Sequence, residues 1–274
     1  MARTFSVPNA RLKSLLARCT YSLINFLSRF NSGQTFLTLA TLFTINQHKS
    51  TLIRGNEIKY SFVSGTWLPR RFTDVEILEP GTLSWIDNAT RNTVLWDIGA
   101  NVGGYAIYAA KSRAMTVLAF EPSPFNLEFL ARNIWLNELE QKITVIPIAL
   151  SEFTSQSSFQ MKRTEWASSG STYGEVDKTK YIRNDQFIYP TIGIPMDHVH
   201  SFLKLPNPNY VKLDVDGIEG LILAGGMEVL LGVTSVLVET PESEEQKKLV
   251  TECLRNAGLT RQEVVRQNEI WSRK

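Results

Sequence analysis

Residues 93–111, TVLWDIGANVGGYAIYAAK, decide how the rest of the chain is read. Val94, Leu95 and Trp96 form a short apolar run that suits a strand buried on both faces, and Asp97 ends it. Gly99, Gly103 and Gly104 then allow a tight turn and a close backbone approach to a ligand. From Val102 onward, apolar and small residues (Tyr105, Ala106, Ala109, Ala110) recur at helical spacing. The stretch predicts strand, glycine-rich loop, helix. The start of such a helix offers free N–H groups and the positive end of its dipole.

The loop differs from the dinucleotide fingerprint at one telling place. Glycine is wanted at positions one, three and six, and these are Gly99, Asn101 and Gly104. Asn101 tolerates a left-handed backbone, but its side chain fills the space a pyrophosphate needs. Asp97 puts negative charge at the same mouth, which suits a cation. S-adenosylmethionine carries an ammonium and a sulfonium and no phosphate, so it is the expected cofactor. A nicotinamide-dependent oxidoreductase and a non-catalytic scaffold on the same sheet are the alternatives.

The chain has 274 residues, is 43% hydrophobic and 20% charged, and carries a net charge of +2, an ordinary globular composition. The charge is uneven. Residues 1–56 hold seven basic side chains and no acid, leaving 22 of the 29 basic and all 27 acidic residues, a net of −5, to the remainder. A mildly acidic body argues against a general nucleic-acid footprint. Cys19 and Cys253 match no metal or redox spacing, and a reducing, cytoplasmic setting is expected. The most apolar segment, residues 36–45, is half the length of a membrane span, so no transmembrane helix is expected.

Residues 1–56 read as a basic helical extension and 57–274 as one α/β body. Within the extension, residues 9–31 predict an amphipathic helix, with a stripe including Leu12, Leu16, Leu23, Phe26 and Phe30 opposite Arg11, Arg18 and Arg29. The stripe is expected to pack on the body or on another subunit; a peripheral membrane contact or a transit peptide are the alternatives. In the body, strands are expected at 94–96, 116–120, 143–148, 210–213 and 235–238, with helices at 80–86, 124–136, 218–231 and 242–257 and a terminal hairpin at 263–271. Asn137 is the expected left-handed helix stop. Alternating β and α units imply a mostly parallel sheet covered on both faces. Asp97, Glu121, Asp214 and Glu239 all fall at strand carboxyl ends, where such sheets bind ligands. Residues 151–209 break the rhythm with Ser, Thr, Gly and aromatics, and are expected to form a lid or substrate wall.

Four motifs in order resemble the FkbM family of S-adenosylmethionine-dependent methyltransferases. They are Asp97-Ile98-Gly99-Ala100-Asn101-Val102-Gly103; Ala119-Phe120-Glu121-Pro122-Ser123-Pro124; Asn133-Ile134-Trp135-Leu136-Asn137; and Val211-Lys212-Leu213-Asp214-Val215-Asp216-Gly217-Ile218-Glu219. Asp216 stands where Glu is commoner in that family, and Glu79-Pro80 with Thr82 resembles an upstream segment of one of its branches. The likeness runs from about Trp67 to Trp271. It implies a Rossmann-like class I sheet of seven strands, the last antiparallel.

The candidate site follows from both readings. Asp97, Gly99, Asn101 and Gly103 would hold the methionine end of the cofactor, with Glu79 reaching it from above. Glu121 would take the ribose hydroxyls, with Pro122 beside it, unless it only caps the next helix. Ala149 follows the third strand, where adenine would lie. Asp214 could orient the cofactor, bind the acceptor or serve as base, and His198 is a second candidate base; Asp197 and His200 read as structural or surface residues. Glu219 would only complement a helix dipole. No metal is expected, because the carboxylates show no tight ligand spacing. The expected reaction is O-methylation of a small-molecule, glycan or lipid hydroxyl.

Overall fold

The computed structural model describes residues 15–174 and 187–273. It opens with helices α1 (Leu15–Leu27) and α2 (Asn31–Ile45), then a hairpin of β1 (His48–Ile53) and β2 (Asn56–Ser61). Short helices α3 (Arg70–Thr73) and α4 (Val75–Leu78) lead into α5 (Pro80–Asn88). The αβ rhythm follows: β3 (Val94–Ile98), α6 (Gly104–Arg113), β4 (Thr116–Phe120), α7 (Pro124–Leu136) and β5 (Ile143–Ile146). Next come β6 (Ala149–Leu150), β7 (Ser155–Met161), β8 (Ser171–Tyr173), β9 (Phe187–Ile194) and α8 (Met196–Leu203). The chain finishes with β10 (Tyr210–Leu213), α9 (Glu219–Ala224), α10 (Met227–Leu230), β11 (Ser235–Glu239), α11 (Glu244–Asn256), β12 (Thr260–Val265) and β13 (Asn268–Ser272).

The main sheet has seven strands in the order β12-β13-β11-β10-β3-β4-β5. β5, β4, β3, β10 and β11 run parallel, and β13 is antiparallel to β11 and to β12. This is the expected class I sheet. The chain winds outward from β3 to β5, then returns to place β10 on the other side of β3. Strand order therefore reverses at the β3–β10 boundary, and a crevice opens beyond the carboxyl ends of these two strands.

Strand alternation divides the core. Leu95, Val117, Ala119 and Leu237 face one layer with Ile86, Tyr108 and Phe129. Trp96, Ile98, Phe120, Val211 and Val236 face the other with Met196, Leu223 and Leu254. The β1–β2 hairpin closes the first layer with buried Ile53, Ile58 and Tyr60, and it spans the boundary expected at residues 56–57.

Several local expectations need correction. Of the helix expected over 9–31, the described part is α1, which ends at Leu27; residues 28–30 separate it from a second helix, α2. Gly33 permits the close approach where the two helices meet, since a Cβ there would sit 2.1 Å from the Leu27 carbonyl oxygen. The apolar stripe does not pack on the body: Leu23, Phe26 and Phe30 are all exposed. Asn137 is not left-handed (φ −98°); Glu138 is (φ 59°). The Asn137 side chain is engaged elsewhere, accepting from the Lys59 N–H (3.0 Å) and donating to the Lys59 carbonyl (2.6 Å). The helix expected over 218–231 is interrupted at Gly225-Gly226, and Asp197 caps its second piece by accepting from the Glu228 and Val229 N–H groups at 3.0 and 2.9 Å. Residues 151–209 are not a bare loop: they contribute β7, β8 and β9 to a four-stranded sheet in the order β6-β9-β7-β8, then α8. No helix among the described residues is long and apolar enough to cross a membrane.

Candidate active site

A pocket with about 1380 Å³ of atom-free space, its open mouth included, occupies the crevice. Gly99 shapes its floor. Its φ is +84°, and a Cβ would sit 1.9 Å from the Asp214 carbonyl oxygen, so only glycine lets the ends of β3 and β10 touch. Asn101 has the left-handed backbone its residue type permits (φ 52°). Its N–H donates to Glu121 Oε2 at 2.8 Å, and its Nδ2 donates to the Ser168 carbonyl at 3.0 Å. The Asn101 side chain thus joins the glycine loop to the segment above it.

That segment, residues 167–171, roofs the pocket and is clasped from several sides. The Ala167 N–H donates to Asn126 Oδ1 (3.1 Å), and the Ala167 carbonyl accepts from Arg71 Nε (3.0 Å). The Gly170 N–H donates to Asp216 Oδ2 (2.7 Å). Ser168, Ser169 and Ser171 line the cavity with Phe159 and Tyr173 of the small sheet.

The acidic strand ends divide into distinct electrostatic roles. Lys212, 2% exposed in mid-β10, holds its Nζ 2.9 Å from Asp214 Oδ2 and 3.7 Å from Asp97 Oδ1. The same nitrogen lies 4.9 Å from the Tyr105 ring centroid. Burial alone would lower the lysine pKa, but Asp214 and Asp97 outweigh it and hold it above the ordinary value. Asp214 shows the converse: burial pushes its pKa up, Lys212 pulls harder, and the carboxyl stays below its usual range. Burial and the neighbouring Asp214 push Glu239 up to about 9. An ionised, lysine-held Asp214 is a good acceptor and a weak base.

Asp97 lies behind the pocket wall. It is fully buried, burial raises its pKa, and neither of its oxygens has a well-formed hydrogen bond among the described residues. Asp97 is therefore not among the residues that line the pocket, and Lys212 ties it to Asp214, which is. Glu121 does reach the pocket, with its oxygens accepting from the Asn101 and Ser123 N–H groups, both at 2.8 Å. Burial raises its pKa to about 7. Glu79 also lines the cavity, steadied by Asn268 Nδ2 at 2.9 Å and the Thr82 hydroxyl at 3.2 Å.

Pro122 and Ala149 line the pocket as expected, but Gly103 does not: it faces α7, where a Cβ would lie 2.7 Å from Leu130 Cδ1. His198 is on the exposed side of α8, its Nδ1 3.2 Å from the Thr154 hydroxyl, and does not line the pocket, so it is no base for this site. His200 sits on the sheet, its ring 6.2 Å from that of Trp96. Glu219 is buried and accepts from the Gly217 N–H at 2.9 Å, closing the turn into α9. No group of three or more His, Cys, Asp or Glu among the described residues is placed to hold a metal ion.

Sequence reasoning assigned no role to Lys212, Arg71 or Tyr105. For Lys212 a signal existed, a cation inside the otherwise uncharged strand Tyr210-Val211-Lys212-Leu213. These residues fit S-adenosylmethionine: anionic side chains face its cationic end, a carboxylate stands at the second strand end for its ribose, and Ile148, Ala149 and Leu150 offer an apolar slot for adenine.

A family model described as the TRM5/TYW2 methyltransferase domain matches residues 84–182. The chain is 29% identical to hexuronic acid methyltransferase AglP of Haloferax volcanii over 175 residues, 64% of this chain and 66% of that protein. It is also 29% identical to tRNA (guanine(37)-N(1))-methyltransferase 1 of Vitis vinifera over 126 residues, 44% of this chain but 21% of that one. Among solved structures, methyltransferase FkbM from Methylobacillus flagellatus KT superposes with a TM-score of 0.45 at 16% identity, covering 68% of this chain and 44% of that one. With its strand order and its strand-end acids, the chain has a Rossmann-like fold, and its likenesses are to S-adenosylmethionine-dependent methyltransferases over part of their length.

Proposed function

We propose that this chain, an FkbM-like enzyme, transfers a methyl group from S-adenosylmethionine to a hydroxyl oxygen of a sugar, lipid or polyketide-like acceptor. The observation that carries this reading is the strand-end pocket, in which Glu79, Glu121, Asp214 and Glu239 converge under the roof of residues 167–171. The cofactor supplies a methyl carbon on a positively charged sulfur. Glu121 accepts from its ribose hydroxyls, and Glu79 and Asp214 face its ammonium. Lys212 cancels one of the two charges of Asp97 and Asp214, leaving the pair net −1 for a cation to meet.

The acceptor oxygen forms a bond to the methyl carbon as the carbon–sulfur bond breaks, and the sulfur keeps that electron pair. The hydroxyl proton leaves as the oxygen becomes positive. Asp214 accepts a hydrogen bond from that hydroxyl and orients it; its depressed pKa makes it a poor proton store, so the proton passes to solvent. Much of the rate then comes from holding oxygen, carbon and sulfur in line. A sugar-like acceptor is favoured because the AglP match covers more of this chain than the tRNA methyltransferase match does, and because residues 57–274 carry a net charge of −5.

Methyl-labelled cofactor supplied with uronic-acid oligosaccharides, lipid extracts and tRNA tests the assignment. Label is expected in the oligosaccharide or lipid fraction as a base-stable ether. Label confined to tRNA would replace the oxygen acceptor with a base nitrogen, the alternative that the likeness to tRNA (guanine(37)-N(1))-methyltransferase 1 supports.

A further inference from the structure

The consecutive helices α1 and α2 are unexplained by the pocket. Its large apolar side chains stand in solvent: Leu23, Phe26 and Phe30 on or just after α1, and Phe36, Leu39 and Phe43 on α2, with Phe43 71% exposed. α2 carries Phe36, Leu37, Leu39, Leu42 and Phe43 among its threonines, yet Gly33 is its one buried residue. Three of its hydroxyls are already satisfied. Thr35, Thr41 and Thr44 donate to the carbonyls of Asn31, Leu37 and Ala40, each four residues back, at 2.8–3.0 Å. Such groups lose little on leaving water.

Charge says what covers this surface. Five basic residues (Arg3, Arg11, Lys13, Arg18 and Arg29) and no acid lie in the first 30 positions. A second copy of the chain would bring like charges together over the same apolar patch. An anionic lipid surface matches both the charge and the apolarity. At 15 residues α2 is shorter than the ~20 needed to span a bilayer, and no helix among the described residues is long and apolar enough to cross one, so the pair suits its interface. We propose that α1 and α2 dock this protein on anionic membranes, lying in the headgroup region with Leu23, Phe26, Phe36 and Phe43 turned into the acyl boundary.

Co-sedimentation of the full chain with phosphatidylcholine vesicles, with and without phosphatidylserine, tests this. Binding is expected only to the phosphatidylserine vesicles and should fall as salt is raised. Arg29→Gln should weaken it roughly fivefold. The exposed quadruple variant Leu23→Asn, Phe26→Asn, Phe36→Asn and Phe43→Asn should abolish it while leaving the protein's circular dichroism and cofactor affinity unchanged. Equal binding to both vesicles, binding to neither, or full retention by the quadruple variant overturns the proposal. So does a salt-resistant dimer that takes up no lipid.

Discussion

Lys212 stands in a buried four-residue strand with a carboxylate on either side, and its loss should be felt in stability before chemistry. Lys212→Met removes the only cation within 4 Å of Asp97 among the described residues and leaves that buried carboxylate uncompensated. Breaking a buried pair from one side costs roughly 3–5 kcal/mol. Urea denaturation should show a loss of that order, and adding Asp97→Asn to Lys212→Met should recover much of it, because the carboxylate that remains, Asp214, faces the pocket rather than the core. Glu121 yields a pH prediction. Burial lifts its pKa from 4.5 to about 7, so the folded chain binds that proton more tightly than the unfolded one. Its contribution to stability is complete below the unfolded value and is lost as pH rises through 7, by ~3 kcal/mol at most. Glu121→Gln should flatten the slope of stability against pH between those values. The ribose needs the ionised form, so the affinity of the parent protein for S-adenosylmethionine, measured by calorimetry, should rise with pH across the same window and be lost in the variant.

At the scale of elements, α7 holds the β1–β2 hairpin by two asparagines one turn apart. Asn133 Oδ1 accepts from the Ser61 N–H at 2.7 Å, and Asn137 pairs with both backbone groups of Lys59. Asn133 Nδ2 also donates to the Val102 carbonyl at 2.9 Å, so one side chain links the hairpin, α7 and the glycine loop. Asn133→Ala strands a buried N–H and a buried carbonyl, at a cost of about 1–3 kcal/mol each. Hydrogen exchange should quicken at Ser61 and the loop following β3, with little change at Val236 in the sheet centre. The roof obeys the same logic: Asn101, Asn126, Arg71 and Asp216 bind its backbone from four separate elements. Backbone held from so many sides makes a fixed wall.

For the whole molecule, the pocket lies where β3 and β10 meet, and a ligand bound there touches segments from Arg70 to Glu239. Filling it should therefore stabilise the whole domain. S-adenosylmethionine at about 100 times its dissociation constant should add ~2.7 kcal/mol, a rise of roughly 5–10 °C in Tm by calorimetry. Reduced nicotinamide dinucleotide should give no shift, because the Asn101 side chain and the acidic strand ends repel its pyrophosphate. A shift with the dinucleotide and none with S-adenosylmethionine would reverse the choice of cofactor.

The sequence by itself determined the alternation of strands and helices, the glycine turn after β3 and the acids at four strand ends. Each of these is written in local pattern: apolar runs, glycine spacing, and the residue that ends a run. Only the tertiary structure decided what those acids do. Asp97 and Asp214 look alike as strand-end aspartates, yet one is sealed behind the wall and the other faces the pocket, because register sets Asp97 beside Lys212, two positions deeper than Asp214. Burial and Asp214 raise the pKa of Glu239 while Lys212 helps to hold that of Asp214 down, through distances across strands that no spacing along one strand encodes. The N-terminal helices show the same division. Their amphipathic and apolar patterns are legible in sequence, but that the body leaves those faces uncovered is a fact of packing.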